Sequence, residues 1–146
     1  MKECDTCDKV FRHAEIRGYT YWTLMLHPNQ RFLGRCLIAL NRHEEDLLET
    51  TAEEKEELFM IMEQTRTALS KLFRPDRYNY SSLGNVIRHL HVHIIPRYRS
   101  SRKFENILFK DKTWGQPPWP NEEHPLRKAD FEKLRKAILE NLPDRD

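Results

Sequence analysis

Histidine alternates with an aliphatic residue in His89-Leu90-His91-Val92-His93-Ile94-Ile95, which runs on into Pro96-Arg97. That two-residue period predicts a strand over Ile87 to Ile95, with Leu90, Val92 and Ile94 toward a core and three imidazoles on the opposite face. At a rise of roughly 3.3 Å per residue, neighbouring rings stand about 6.6 Å apart and the outer pair about 13 Å apart, too far to share one ion. Two chemistries suit the pattern. A neutral imidazole, with an ordinary pKa of about 6.5, attacks phosphorus near neutral pH. It needs its remote nitrogen to donate to a carbonyl or carboxylate, and it needs nearby donors to neutralise the phosphoryl oxygens. His91 with His93 one pleat away meets that demand. The Gly84-Asn85 turn before the strand offers backbone N–H groups and an amide to a phosphate, or else makes a plain Asx turn. In the second chemistry His89 with His91, or His91 with His93, holds a catalytic metal. A third possibility is a binding or interaction module without catalysis.

Cys4-Asp5-Thr6-Cys7 has the spacing of half a zinc site or of a redox pair, and no βαβ unit surrounds it to favour the redox reading. Solvent-exposed free thiols are the other alternative. Cys36, in the apolar run Cys36 to Leu40, reads as a small core residue.

The elements that must position these residues are legible in outline. Tyr19 to Leu26 is rich in β-formers and reads as a strand, His27 to Gln30 as a turn, and Gly34 to Leu40 as a central apolar strand. Thr51 and Glu54 have the spacing of a capping box, with Glu53, Glu56 and Glu57 at the positive end of the helix that follows. Leu58, Ile61, Met62, Thr65, Leu69, Leu72 and Phe73 form its apolar stripe, and Arg74-Pro75 stops it. Arg77 to Ser82 is a third strand and precedes the histidine strand. Residues 99–127 read as an irregular arm, with basic Arg97, Arg99, Arg102 and Lys103 at its start and Trp114-Gly115-Gln116-Pro117-Pro118-Trp119-Pro120 within it. Arg97 is expected to pair with surface carboxylates. Trp114 and Trp119 are expected to pack the arm against the domain or a partner subunit, with the mouth of a ligand site as the other place they could serve. A last helix over residues 128–142 is expected to have Asp130 as N-cap and Phe131, Leu134, Ile138 and Leu142 on one face. The fold class is therefore α+β: an antiparallel sheet of about five strands with one long helix and a C-terminal helix.

At 146 residues the chain is expected to form one domain, residues 1–18 being an N-terminal arm and 19–98 the core. Charged residues make up 33%, yet the net charge is only +2, which argues against a nucleic-acid partner. The mean hydropathy is −0.81 and no run approaches the roughly 18 apolar residues of a membrane span. Met1-Lys2-Glu3-Cys4 has no apolar segment of the signal-peptide kind, so a cytoplasmic location is expected.

The alternation His-φ-His-φ-His-φ-φ (φ apolar) at His89 to Ile95, together with Gly84-Asn85-Val86 and Asn41-Arg42-His43, resembles the histidine triad (HIT) superfamily of nucleotidyl hydrolases and transferases, over Leu24 to Arg97. The resemblance implies a HIT-like fold, a homodimer and a small nucleotide substrate, either a dinucleoside polyphosphate or a nucleoside phosphoramidate, cleaved at the α-phosphate. It makes His91 the nucleophile that carries a covalent nucleotidyl group and His93 a phosphate contact, with Gly84 and Asn85 at the phosphate and His27 or Asn29 at the ribose. It also implies a structural zinc on Cys4, Cys7, His43 and His89, as in some members. This chain has Val86 where many relatives place a hydroxyl residue just before the triad.

Overall fold

The computed structural model describes residues 4–7, 11–119 and 122–144; the parts of the N-terminal and C-terminal arms outside those ranges, Met1 to Glu3 and Pro120 among them, lie beyond the described residues. Its frame is an antiparallel sheet of β1 (Glu15–Gly18), β2 (Trp22–Leu26), β3 (Cys36–Leu40), β4 (Arg77–Ser81) and β5 (His91–Arg97), in the order β1-β2-β3-β5-β4. The long helix α1 (Ala52–Phe73) follows β3, and α2 (Lys128–Asn141) comes last. The α+β class read from the sequence is the one observed.

Register sorts the sheet into two faces. Leu24 pairs with Ile38 and Ile38 with Val92, while Leu26, Cys36 and Ile94 continue the same side. These residues are buried with Leu58, Ile61, Leu69 and Phe73 of α1 in one apolar cluster. Helix α1 starts as expected. Thr51 accepts from the Glu54 N–H, and the Glu54 carboxylate accepts from the Thr51 N–H. Arg42 also pairs with that carboxylate at 2.8 Å and holds it down at about 2. The opposite face carries Thr23 and Met25 of β2, Leu37 and Ala39 of β3, His91 and His93 of β5 and Ser81 of β4. Met25 and Ala39 there form a small cluster with Ala14, against which Phe131 of α2 packs.

Several boundaries differ from the sequence reading. Tyr19 to Tyr21 turn the chain, and β1 lies earlier, in Glu15 to Gly18, an edge strand whose register slips between Glu15 and Arg17. A four-residue strand with a bulge carries no usable alternation. The arm at 99–127 is not wholly irregular, since β6 (Arg102–Phe104) and β7 (Ile107–Phe109) form a hairpin. Its turn has Glu105 at φ 54 rather than the glycine that would have announced it. Helix α2 starts two residues before the expected cap. Arg127 is the N-cap, and Asp130 is buried in the first turn, where it pairs with Arg127 and favours the positive helix end. Arg97 is not at the surface. It is 2% exposed, pairs with buried Asp111 at 2.7 Å, and donates to the carbonyls of Thr113 and Gln116, so that it fastens the arm to β5. The guanidinium groups of Arg77 and Arg99 both lie over the Trp114 ring, 5.1 and 5.3 Å from its centroid, so Trp114 packs the arm against the sheet.

Gly34 is where the turn before β3 meets the helix. Its φ is +88°, and an added Cβ would stand 2.7 Å from Leu69 Cδ2, a side chain with no exposed surface. Gly34→Ala is expected to destabilise by about 1–3 kcal/mol, from left-handed strain and overpacking together. A denaturant midpoint that does not fall would refute that account.

Candidate active site and metal centre

The ladder between β3 and β5 ends at the Ala39–His91 pair, and there the three histidines part company. The Leu90 N–H leaves the sheet to donate to the Glu44 carbonyl at 2.7 Å. The His89 ring is 1% exposed and turns under the end of β3, where its Nε2 meets the Leu40 carbonyl at 2.6 Å. A carbonyl only accepts, so Nε2 carries the proton and Nδ1 keeps its lone pair. The strand is therefore His91 to Arg97, shorter at its start than the period suggested, and only His91 and His93 share its open face.

The His89 Nδ1 lone pair faces the N-terminal cysteines. It lies 3.3 Å from Cys4 Sγ, 3.4 Å from Cys7 Sγ and 3.2 Å from His43 Nδ1, and Cys7 Sγ is 3.5 Å from His43 Nδ1. All four ligand atoms lie within 4.8 Å of one another. A tetrahedron with Zn–S bonds near 2.3 Å and Zn–N bonds near 2.0–2.1 Å has edges of about 3.3 Å between nitrogens and about 3.5 Å between nitrogen and sulfur. The four residues expected at a zinc site are thus brought together at the right spacing. Burial lowers the His89 pKa and keeps the ring in its neutral, ligating form.

His91 is fixed in the complementary sense. Its Nδ1 lies 2.6 Å from the His89 carbonyl, so Nδ1 carries the proton and Nε2 presents a free lone pair. Its ring centroid is 5.0 Å from that of His93. The His93 Nδ1 is 3.3 Å from Nη2 of Arg35, and a guanidinium only donates, so the His93 proton sits on Nε2. Burial first, then Arg35, hold His93 down at about 3. His27, whose ring centroid is 5.7 Å from His93, accepts the Asn29 N–H at Nδ1 and thus also presents an Nε2–H. Burial, and after it Arg35, likewise bring His27 to about 3.

Two cavities meet at His91 and His93. One, about 250 Å³, has apolar walls that include Phe11, Met25, Leu37, Ala39 and Ile87, with His27 at its edge. The other, about 360 Å³, is lined by Arg35, Ser81, Gly84, Asn85, Pro118 and Trp119 among others. Gly84, at φ +63°, and Asn85 therefore lie where the sequence placed them, beside the histidines. Trp119, half exposed, stands at the mouth rather than in the packing role expected for it. Asn29 does not reach either cavity. Its amide donates to the Glu122 carbonyl, and its oxygen accepts from the N–H groups of Arg31 and His124, so the side chain is spent holding the arm. Sequence reasoning missed Arg35, which stands at the start of the stretch read as the central strand Gly34 to Leu40 and carries no local sign of its burial.

Residues 19–100 match the family model of the HIT domain, and the chain belongs to that family. A histidine triad (HIT) protein of Sinorhizobium meliloti 1021 superposes with a TM-score of 0.76 at 22% identity, covering 92% of this chain and 94% of that one. A Zn-bound histidine triad family protein of Mycobacterium smegmatis superposes with a TM-score of 0.66 at 17% identity, covering 94% of each chain. An uncharacterized HIT-like protein of Mycoplasma genitalium is 28% identical over 76 residues, 49% of this chain and 54% of that protein, so the match spans about half the relative's length. No helix among the described residues is long and apolar enough to cross a membrane.

The depressed histidines set a pH dependence. Their unfolded pKa is about 6.5, so between that value and about 3 the unfolded chain binds more protons than the folded one. Their contribution is complete above about pH 6.5 and is lost as the pH falls toward 3. The denaturant midpoint is expected to drop between pH 7 and pH 5, and to drop less in His93→Gln. Equal slopes for the two proteins would contradict the burial of a neutral His93.

Proposed function

We propose that this chain is a nucleotidyl hydrolase or transferase in which His91 Nε2 attacks the α-phosphorus of a nucleotide and carries the nucleotidyl group covalently. The observation that carries the reading is the His91–His89 carbonyl contact, which leaves the lone pair of Nε2 free at the seam of the two cavities. The apolar cavity suits a nucleoside, with the His27 Nε2–H at its edge for a ribose hydroxyl. His93 donates from Nε2 to a phosphoryl oxygen, and Gly84 and Asn85 border the phosphate on the other side. Water or another acceptor then displaces the nucleotide from His91. Dinucleoside polyphosphates and nucleoside phosphoramidates are both consistent with this geometry. Family membership also supports a homodimer acting on a small nucleotide in the cytoplasm.

Cys4, Cys7, His43 and His89 would hold a zinc ion as a closed set of four protein ligands, which pins the N-terminal arm beside β5 and leaves no open position for catalysis. A catalytic metal between His91 and His93 is disfavoured by the guanidinium already 3.3 Å from His93.

His91→Ala is expected to lower turnover by at least roughly 10³-fold while fold and nucleotide binding persist. Wild type mixed with substrate and quenched is expected to show nucleotidylated His91 by mass spectrometry. Full turnover in the variant would remove the proposal, and a chain that binds nucleotide without ever carrying a label would be a binding module. Metal analysis is expected to find one zinc per chain, lost in Cys4→Ser. Chelation should lower the unfolding temperature and spare the turnover of the molecules still folded. Activity lost without unfolding and restored by added metal would instead mark a catalytic ion.

A further inference from the structure

Arg35 is 6% exposed, and its Nε and Nη1 are buried without a hydrogen-bond partner among the described residues. Nη2 reaches only the neutral His93. No carboxylate among the described residues pairs with it, and burial brings it down to about 10, still cationic at neutral pH. Its backbone is rigidly placed, the N–H donating to the Phe32 carbonyl and the C=O accepting from the His27 N–H and the Gln30 amide. A buried guanidinium with unused donors is costly unless an anion completes it. The cavity it lines shares His91 and His93 with the apolar chamber.

That arrangement places a substrate. With a nucleoside in the apolar chamber and the α-phosphorus at His91 Nε2, the cavity lined by Arg35 is the space left for the rest of the substrate, the leaving group included. The described lining of that chamber contains no carboxyl, thiol or ammonium group to supply a proton, and the one histidine beside Arg35 is held neutral. An amine leaving a phosphoramidate has to be protonated as it departs, whereas a phosphate leaves as an anion.

We propose that Arg35 binds the phosphate adjoining the scissile bond, which makes the substrate a phosphoanhydride such as a dinucleoside polyphosphate rather than a nucleoside phosphoramidate. The inference rests on the nucleotidyl-transfer reading above. In the step, the Nε2–P bond forms and the bridging P–O bond breaks. Its electron pair goes to the β-phosphate oxygen, and Arg35 takes up that charge through the donors now unused. Water then attacks phosphorus, the electron pair of the N–P bond returns to Nε2, and the proton released by the water goes to solvent.

The test compares wild type, Arg35→Gln and Arg35→Lys on a diadenosine polyphosphate and on adenosine phosphoramidate, with inorganic pyrophosphate binding measured by calorimetry. Wild type is expected to prefer the polyphosphate by at least tenfold in kcat/KM. Arg35→Gln should lose on the order of 100-fold on the polyphosphate and at least tenfold less on the phosphoramidate, whose loss reflects only the His93 tautomer that Arg35 fixes, with Arg35→Lys between. Pyrophosphate should bind wild type and raise its unfolding temperature, and do neither to Arg35→Gln, which should be no less stable than wild type in the absence of anion. Equal losses on both substrates, a wild-type preference for the phosphoramidate, or pyrophosphate binding that is absent or indifferent to Arg35→Gln would each overturn the inference. A chain that binds pyrophosphate through Arg35 yet never carries a nucleotide on His91 would sink the nucleotidyl reading alone and leave the anion subsite standing.

Discussion

The placement of His89 is the constraint on which the site depends. Its ring is buried with both nitrogens assigned, Nε2 to the Leu40 carbonyl and Nδ1 to the Cys4, Cys7 and His43 cluster. Its own carbonyl takes the Nδ1 proton of His91. One residue therefore closes the end of β3, gathers the N-terminal thiols and sets the tautomer of its neighbour two positions on. Turning the ring outward would orphan the buried Leu40 carbonyl and scatter the cluster at once, so these three functions stand or fall together.

The sheet makes that arrangement useful by dividing its labour. The face toward α1 is filled with aliphatic side chains and gives β3 and β5 their fixed register. Rigidity there lets the open face carry groups that pack poorly, such as paired imidazoles and a guanidinium. The arm after β5 supplies the remaining wall. Arg97, saturated by Asp111, Asn79 and two carbonyls, anchors residues 111–116, and the Pro118-Trp119 edge of the second cavity hangs from that anchor. A buried ion pair so fully hydrogen-bonded contributes position more than stability.

How far the sequence could be read follows from range. The capping box, the helix stripe and the core-facing Leu90, Val92 and Ile94 depend on residues a few positions apart, and all appear as their periods require. The zinc set was legible only by resemblance, since Cys4 and His89 are 85 positions apart and no local rule joins them. Period alone put all three histidines on one face. The correction comes from the Leu90 N–H leaving the ladder for Glu44, a contact between distant loops. Short β1 and the glycine-free hairpin turn carried too little local signal. Arg35 was invisible for the same reason as His89's turn, because its side chain meets His93, 58 positions on, and nothing beside it in the chain announces that contact.

The electrostatics of the open face then separate two demands that usually conflict. Charge on a phosphoryl group calls for positive surroundings, yet a nucleophilic imidazole must keep a lone pair. Burial and the nearby guanidinium hold His27 and His93 well below their usual pKa, so neither adds a charge near neutral pH. The positive charge beside His93 is that of Arg35, which cannot surrender its proton in this range. In the proposed reaction the histidines act through fixed tautomers and hydrogen bonds, while the arginine supplies the field. Had a third ionisable histidine provided that charge, the field would have risen only as acid removed lone pairs from its neighbours. A permanently charged residue beside neutral rings makes attraction for an anion independent of the protonation that its attack requires.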